Sequence, residues 1–188
     1  MTSILFREEI IQQLNTVSKE LTDFCYSIND QSYFFQPPDK WSIAQNVRHL
    51  IIAVDKTRLA FLLPKFIIRY YAGKPNRSSR SYDELVAKYK LKLAQGGRAS
   101  VAFIPKPVSE KEDKEKMLQT FSIAMNRLGI IINNKWKDAQ LDQYIAPHPL
   151  LGKITLRELC YFTIYHTQHH LLTIKERLIA YETAGKLS

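Results

Sequence analysis

Three histidines crowd the end of the last apolar stretch, "CYFTIYHTQHHLLTIKERL": His166, His169 and His170. The only others in the chain are His49 and His148. In a helix, residues four apart lie on one face, so His166 and His170 point the same way, while His169 is turned aside by about 100°. Their shared face also carries Leu159, Phe162, Thr163 and Ile174 and should look into the protein interior. Two imidazoles side by side among apolar groups are costly unless something satisfies them. A metal ion does so, because neutral imidazole is a common ligand for zinc, nickel, copper and iron. An HxxxH pair by itself is more often two ordinary helical histidines, so the metal reading needs a third ligand. His49, inside the apolar run "NVRHLIIAV", is the better candidate; His148, between prolines in "APHPLLGK", is the other and reads as an exposed or helix-capping residue.

These residues need elements to hold them, and helix starts are unusually legible. In a capping box a Ser or Thr and a Glu or Gln three residues later each bond the other's free backbone N–H. Four such pairs occur: Ser42 with Gln45, Ser81 with Glu84, Ser109 with Glu112, and Thr155 with Glu158. Each opens a segment of helical periodicity, predicting helices over about 43–63, 82–95, 110–136 and 155–182. A first helix over about 3–28 lacks a box but has a clear seam: Ile10, Leu14, Val17, Leu21, Phe24 and Ile28. Pro64 should end or kink the second helix. The segments "AGKPNRSSRS", "GGRASVAFIPKPVS" and "DQYIAPHPLLGKI" read as connections, with "SVAFI" a candidate extended piece. Four long helices and one short one, in a single domain over 1–188, make a helix bundle with no substantial sheet.

The composition sets bounds. A chain of 188 residues is long enough for a real core, and 45% hydrophobic with 24% charged residues is ordinary for a soluble protein. The longest apolar run, "LAFLLPKFII", is broken by Pro64 and Lys65, well short of the roughly 18 apolar residues of a membrane span. Acids in "MTSILFREEIIQQL" argue against an export signal, so a cytoplasmic protein with Cys25 and Cys160 as reduced, buried thiols is expected. The net charge of +9 is uneven: residues 65–98 hold nine Lys and Arg against Asp83 and Glu84, with Tyr70, Tyr71, Tyr82 and Tyr89 between them. Such a stretch can meet nucleic acid or an anionic ligand. Without a nucleic-acid fold signature, a solvated face is the plainer reading.

"KWSIAQNVRHL" followed by "HPLLGKITLRELCYFTIYHTQHH" resembles the DinB/YfiT-like superfamily over about residues 10–180. The resemblance implies an all-α, four-helix bundle of that type, here with one additional short helix. It implies one divalent metal, zinc or nickel, held by His49, His166 and His170. It also implies a homodimer, which the two apolar sides of the second helix favour through Ile43, Val47, Leu50, Ile51, Ile52 and Val54. Many members place a polar Arg or Gln after the final histidine; Leu171 and Leu172 stand here, with Thr173 the first polar residue.

Three protein ligands leave coordination positions open, as a catalytic rather than a structural site requires. The superfamily includes metal-dependent hydrolases and S-transferases that use a low-molecular-weight thiol, so the expectation is an enzyme of one of these kinds acting on a small molecule. Hydrolysis usually wants a carboxylate as general base. Glu158 is committed to a cap, and Glu176 lies nearly two turns past His170; Glu8 or Glu9 on the first helix are the remaining acids considered. The missing base favours thiol chemistry. Two non-enzymatic readings stand beside it: a stress-related binding protein with a structural metal and a basic segment contacting nucleic acid or a partner, and an interaction module whose histidines bind nothing.

Overall fold

The computed structural model describes residues 4–98 and 100–185. Four long helices form the body: α1 (Arg7–Tyr26), α3 (Ile43–Leu62), α6 (Lys114–Lys135) and α8 (Leu156–Gly185). They pack as a ring in which α3 touches α6 and α8, and α1 touches α6 and α8, so α1 and α3 are diagonal. Short helices α2 (Asp30–Phe34), α4 (Lys65–Ala72), α5 (Tyr82–Ala94) and α7 (Gln140–Gln143) decorate the ring, with one hairpin, β1 (Ile145–His148) and β2 (Gly152–Thr155). No helix among the described residues is long and apolar enough to cross a membrane.

The seam expected on α1 is buried at Ile10, Leu14, Val17 and Leu21, and a matching stripe on α6 is buried at Met117, Phe121, Ala124 and Leu128. At the far ends the stripe passes from Phe24 to Cys25 and from Ile131 to Ile132. A straight helix of 3.6 residues per turn drifts against a repeat of threes and fours, so the buried position moves on by one. Each fully buried leucine contributes about 1.5–3 kcal/mol of apolar transfer. Ile51, on the second apolar side of α3, packs against this same core, and Ile52 is half-buried. That side is therefore no bare apolar face. Cys25 and Cys160 are buried free thiols, and burial pushes the Cys25 thiol up to about 12.

Three of the four capping boxes form. Ser42 and Gln45 exchange both bonds, as do Ser81 with Glu84 and Thr155 with Glu158. The fourth does not: Ser109 and Glu112 make only a backbone turn, and α6 starts at Lys114 with Asp113 accepting from the Lys116 N–H at 2.9 Å. Glu112 is taken by Arg48 of α3 instead. On α1, residues 4–6 are not helical and the expected start at Ser3 lies outside the described residues. The helix begins at Arg7, where the Glu9 carboxylate accepts from the Phe6 N–H at 2.7 Å.

Several short elements were not expected. Pro64 ends α3, and its carbonyl then accepts from Ile67 and Ile68 to open α4. "SVAFI" is not extended: Val101–Phe103 form a 3-10 turn, closed by the Phe103 N–H on the Ser100 carbonyl at 2.8 Å. The turn satisfies these backbone groups locally. The expected connection 142–154 instead carries the hairpin, antiparallel with Ile145 opposite Thr155 and His148 opposite Gly152. Gly152 takes φ 74° at the turn, a conformation that favours glycine.

The basic stretch 65–98 is largely a brace. Arg77 and Arg80 bond the fully buried Glu158 at the start of α8. Lys65 reaches Gln140 and lies over the Trp136 ring, and Arg69 lies over Tyr144. Beneath, Arg157 is 1% exposed and ties Asp138, Asp142 and the Leu5 carbonyl together, fastening α7 and the N-terminal segment to α8. Of the four tyrosines, Tyr89 is buried and Tyr82 half-buried, while Tyr70 and Tyr71 face solvent.

Candidate metal centre

The Ser42 box sets the phase of α3 so that Asn46 and His49, three residues apart, share its inner face. The Thr155 box does the same for α8, where His166 and His170 stack one turn apart. All three histidines are buried, and one nitrogen from each lies within 4.8 Å of the others. His166 Nε2 sits 3.1 Å from His49 Nε2 and 3.1 Å from His170 Nε2. Two imidazole nitrogens sharing a cation at about 2.0–2.1 Å lie roughly 3.0–3.4 Å apart, so the spacing suits a metal.

The far sides of the rings decide which nitrogens are free. His49 donates its Nδ1–H to the Phe103 carbonyl at 2.7 Å. His170 donates its Nδ1–H to Asn46 Oδ1 at 2.7 Å, and Asn46 Nδ2 donates to the Ser42 carbonyl at 2.8 Å, which fixes the amide's orientation. Both Nε2 atoms therefore present lone pairs to the shared centre. Burial pushes all three histidines below their ordinary pKa, His166 and His170 well below, and each imidazolium would repel the others. The group is neutral, as ligands must be. One N–H on His166 cannot serve two facing lone pairs well, whereas one cation satisfies all three. The donor set fits a divalent metal.

Aromatic rings pack around the centre. Trp41 lies 5.0 Å from the His49 ring and stacks parallel to His170, and Phe162 stacks on His166 at 4.8 Å. A cavity of about 670 Å³ opens beside the three histidines, walled by α3, α5, α8, the 3-10 turn and the hairpin. No carboxylate among the described residues lines it. Glu8 pairs with Arg7 and Glu9 caps α1, on the helix diagonal to α3; Glu158 is bound by its arginines. Leu171 turns into the core and Leu172 to solvent, so neither lines the cavity.

His169 and His148 stand apart from the three nitrogens. His169 is half-buried on the cavity wall, its ring stacked near Tyr165 at 6.2 Å. His148 is neither exposed nor a cap of α8: its Nδ1 accepts from the Leu150 and Leu151 amides in the hairpin turn. Asn46, Trp41 and the Phe103 carbonyl were missed as site residues. Asn46 was within reach of pattern reading, because it precedes His49 by one helical turn. Replacing Asn46 with Ala should weaken metal binding about ten- to a hundredfold, the usual effect of losing a partner that orients a ligand. Metal titration followed by a chromophoric chelator would measure it; unchanged affinity would show that His170 needs no such support.

The architecture is that of a four-helix bundle with three converging histidines on two neighbouring helices. Residues 13–174 match the DinB superfamily, and the chain belongs to it. No curated protein and no solved structure matches the chain.

Proposed function

We propose that His49, His166 and His170 hold one divalent transition metal, zinc or nickel, and that the protein is an enzyme activating a low-molecular-weight thiol for transfer to a small molecule. When bound, such a metal supplies the charge that favours thiolate over thiol, or hydroxide over water, near neutral pH. The observation that carries the thiol reading is the cavity beside the three nitrogens, which has room for a small molecule and, among the described residues, no carboxylate to serve as general base. The chain's own residues orient the ligands: Asn46 and the Phe103 carbonyl hold two Nδ1–H groups, while Trp41 and Phe162 pack against the rings.

The open cavity also argues against a merely structural metal, which would be closed by a fourth protein ligand. A nucleic-acid role for the basic segment has less to draw on, since Arg77 and Arg80 are engaged by Glu158.

Elemental analysis of the purified protein should find one metal per chain, and a cobalt-substituted sample should gain near-ultraviolet absorption on adding a small thiol. Ester or amide hydrolysis without thiol consumption would replace this reading with the water-activating one. Failure to retain any metal would overturn both.

A further inference from the structure

His148 is built into the tightest part of the hairpin. It ends β1 opposite Gly152, with Pro147 and Pro149 on either side. The Leu150 and Leu151 amides donate to its Nδ1 at 3.2 and 3.1 Å. Those two donors settle the ring. Turned over, it would offer them carbon, and protonated at Nδ1 it would oppose them. The neutral ring must therefore carry its hydrogen on Nε2. Burial, which pushes this histidine down to about 4, keeps the ring neutral at physiological pH.

His148 lines the cavity shared with His49, His166 and His170, and its Nε2 meets no acceptor among the described residues. Phe162 links it to the centre: the His148 ring is 4.2 Å from the Phe162 ring, which is itself stacked on His166 at 4.8 Å. A base in this place would need a free lone pair, and the only one is occupied by the turn amides.

We propose that His148 is the cavity's fixed hydrogen-bond donor, its Nε2–H binding a carbonyl or other acceptor oxygen of a ligand whose sulfur is held at the three-histidine centre. The inference rests on the thiol reading above and adds to it a specificity: acceptor-bearing thiols are selected over purely alkyl ones. The hairpin turn thereby acts as a template that presets the donor's direction before any ligand arrives.

The test uses the full chain loaded with cobalt and two neutral probes of similar size, 3-mercaptopropionamide, which carries an acceptor, and 1-butanethiol, which does not. The amide should bind the wild type more tightly by about three- to tenfold, the usual worth of one hydrogen bond. In His148→Asn, the shorter side chain keeps an oxygen for the turn amides but loses the reach of Nε2–H. There the advantage should disappear, with butanethiol affinity and cobalt content unchanged. Long-range proton–nitrogen NMR of the metal-loaded wild type should show His148 protonated on Nε2 alone. Equal binding of the two thiols to the wild type, an advantage that survives in His148→Asn, or a proton on Nδ1 would overturn the proposal and leave the thiol reading standing. If neither thiol perturbs the cobalt spectrum, the thiol reading fails and this inference falls with it.

Discussion

Alanine at any one of His49, His166 or His170 is expected to reduce metal affinity by about a hundredfold or more, beyond the effect of losing an orienting partner. The three Nε2 atoms converge on one point, and removing any of them leaves two ligands on a divalent ion. His169→Ala and His148→Ala should keep the metal, because neither side chain joins that group. Metal per chain after dialysis against a weak chelator is the measurement. Loss of the metal in His169→Ala with retention in His170→Ala would show that the face of α8 described above is the wrong one.

Glu158→Ala should cost about 3–5 kcal/mol of stability, the range for removing one partner of a buried ion pair. Its carboxylate, fully buried, accepts from both Arg77 Nη atoms at 2.7 and 2.9 Å. It also accepts from the Arg80 and Thr155 amides at 2.8 and 3.0 Å. Without it the two amides have no acceptor and the brace over the start of α8 is released. Burial acts to raise the Glu158 pKa, but the Arg77 bonds and the two amides outweigh it and hold the carboxyl below its ordinary value. A folded pKa below the unfolded one gives stability that is complete above the unfolded value, about 4.3, and is lost as pH falls through the folded value. The pH dependence is cleanest against Glu158→Gln, which keeps the size of the side chain and cannot ionise. Thermal melts should therefore separate the two strongly at pH 7 and draw together towards pH 3. Coincident melts at pH 7 would mean that the brace contributes nothing.

What could be read in advance follows the range of the interactions involved. The boxes at Ser42, Ser81 and Thr155 are closed within four residues, so the pattern contains all their partners. Ser109 met the same pattern and failed, because Arg48, 64 residues away, claims Glu112 and Asp113 is a ready alternative cap. The pairing of His166 with His170 needs only the pitch of a helix, and His49 came from its apolar surroundings and the family resemblance. The hairpin, α4 and α7 are too short to show a period, and long-range ties such as Arg69 over Tyr144 and Arg157 to Asp142 hold them in place. The acceptor for His49 was illegible for a different reason: it is a main-chain carbonyl, which every residue type supplies.

His49 is steered by the main-chain carbonyl of residue 103, whereas the neighbouring Ile104 forms part of the cavity wall. Orientation of the ligand and shape of the chamber are thus assigned to separate atoms of one short turn. Substitutions there can reshape the chamber and leave the imidazole where it was, so lineages can diverge in what they accept while inheriting the same three nitrogens.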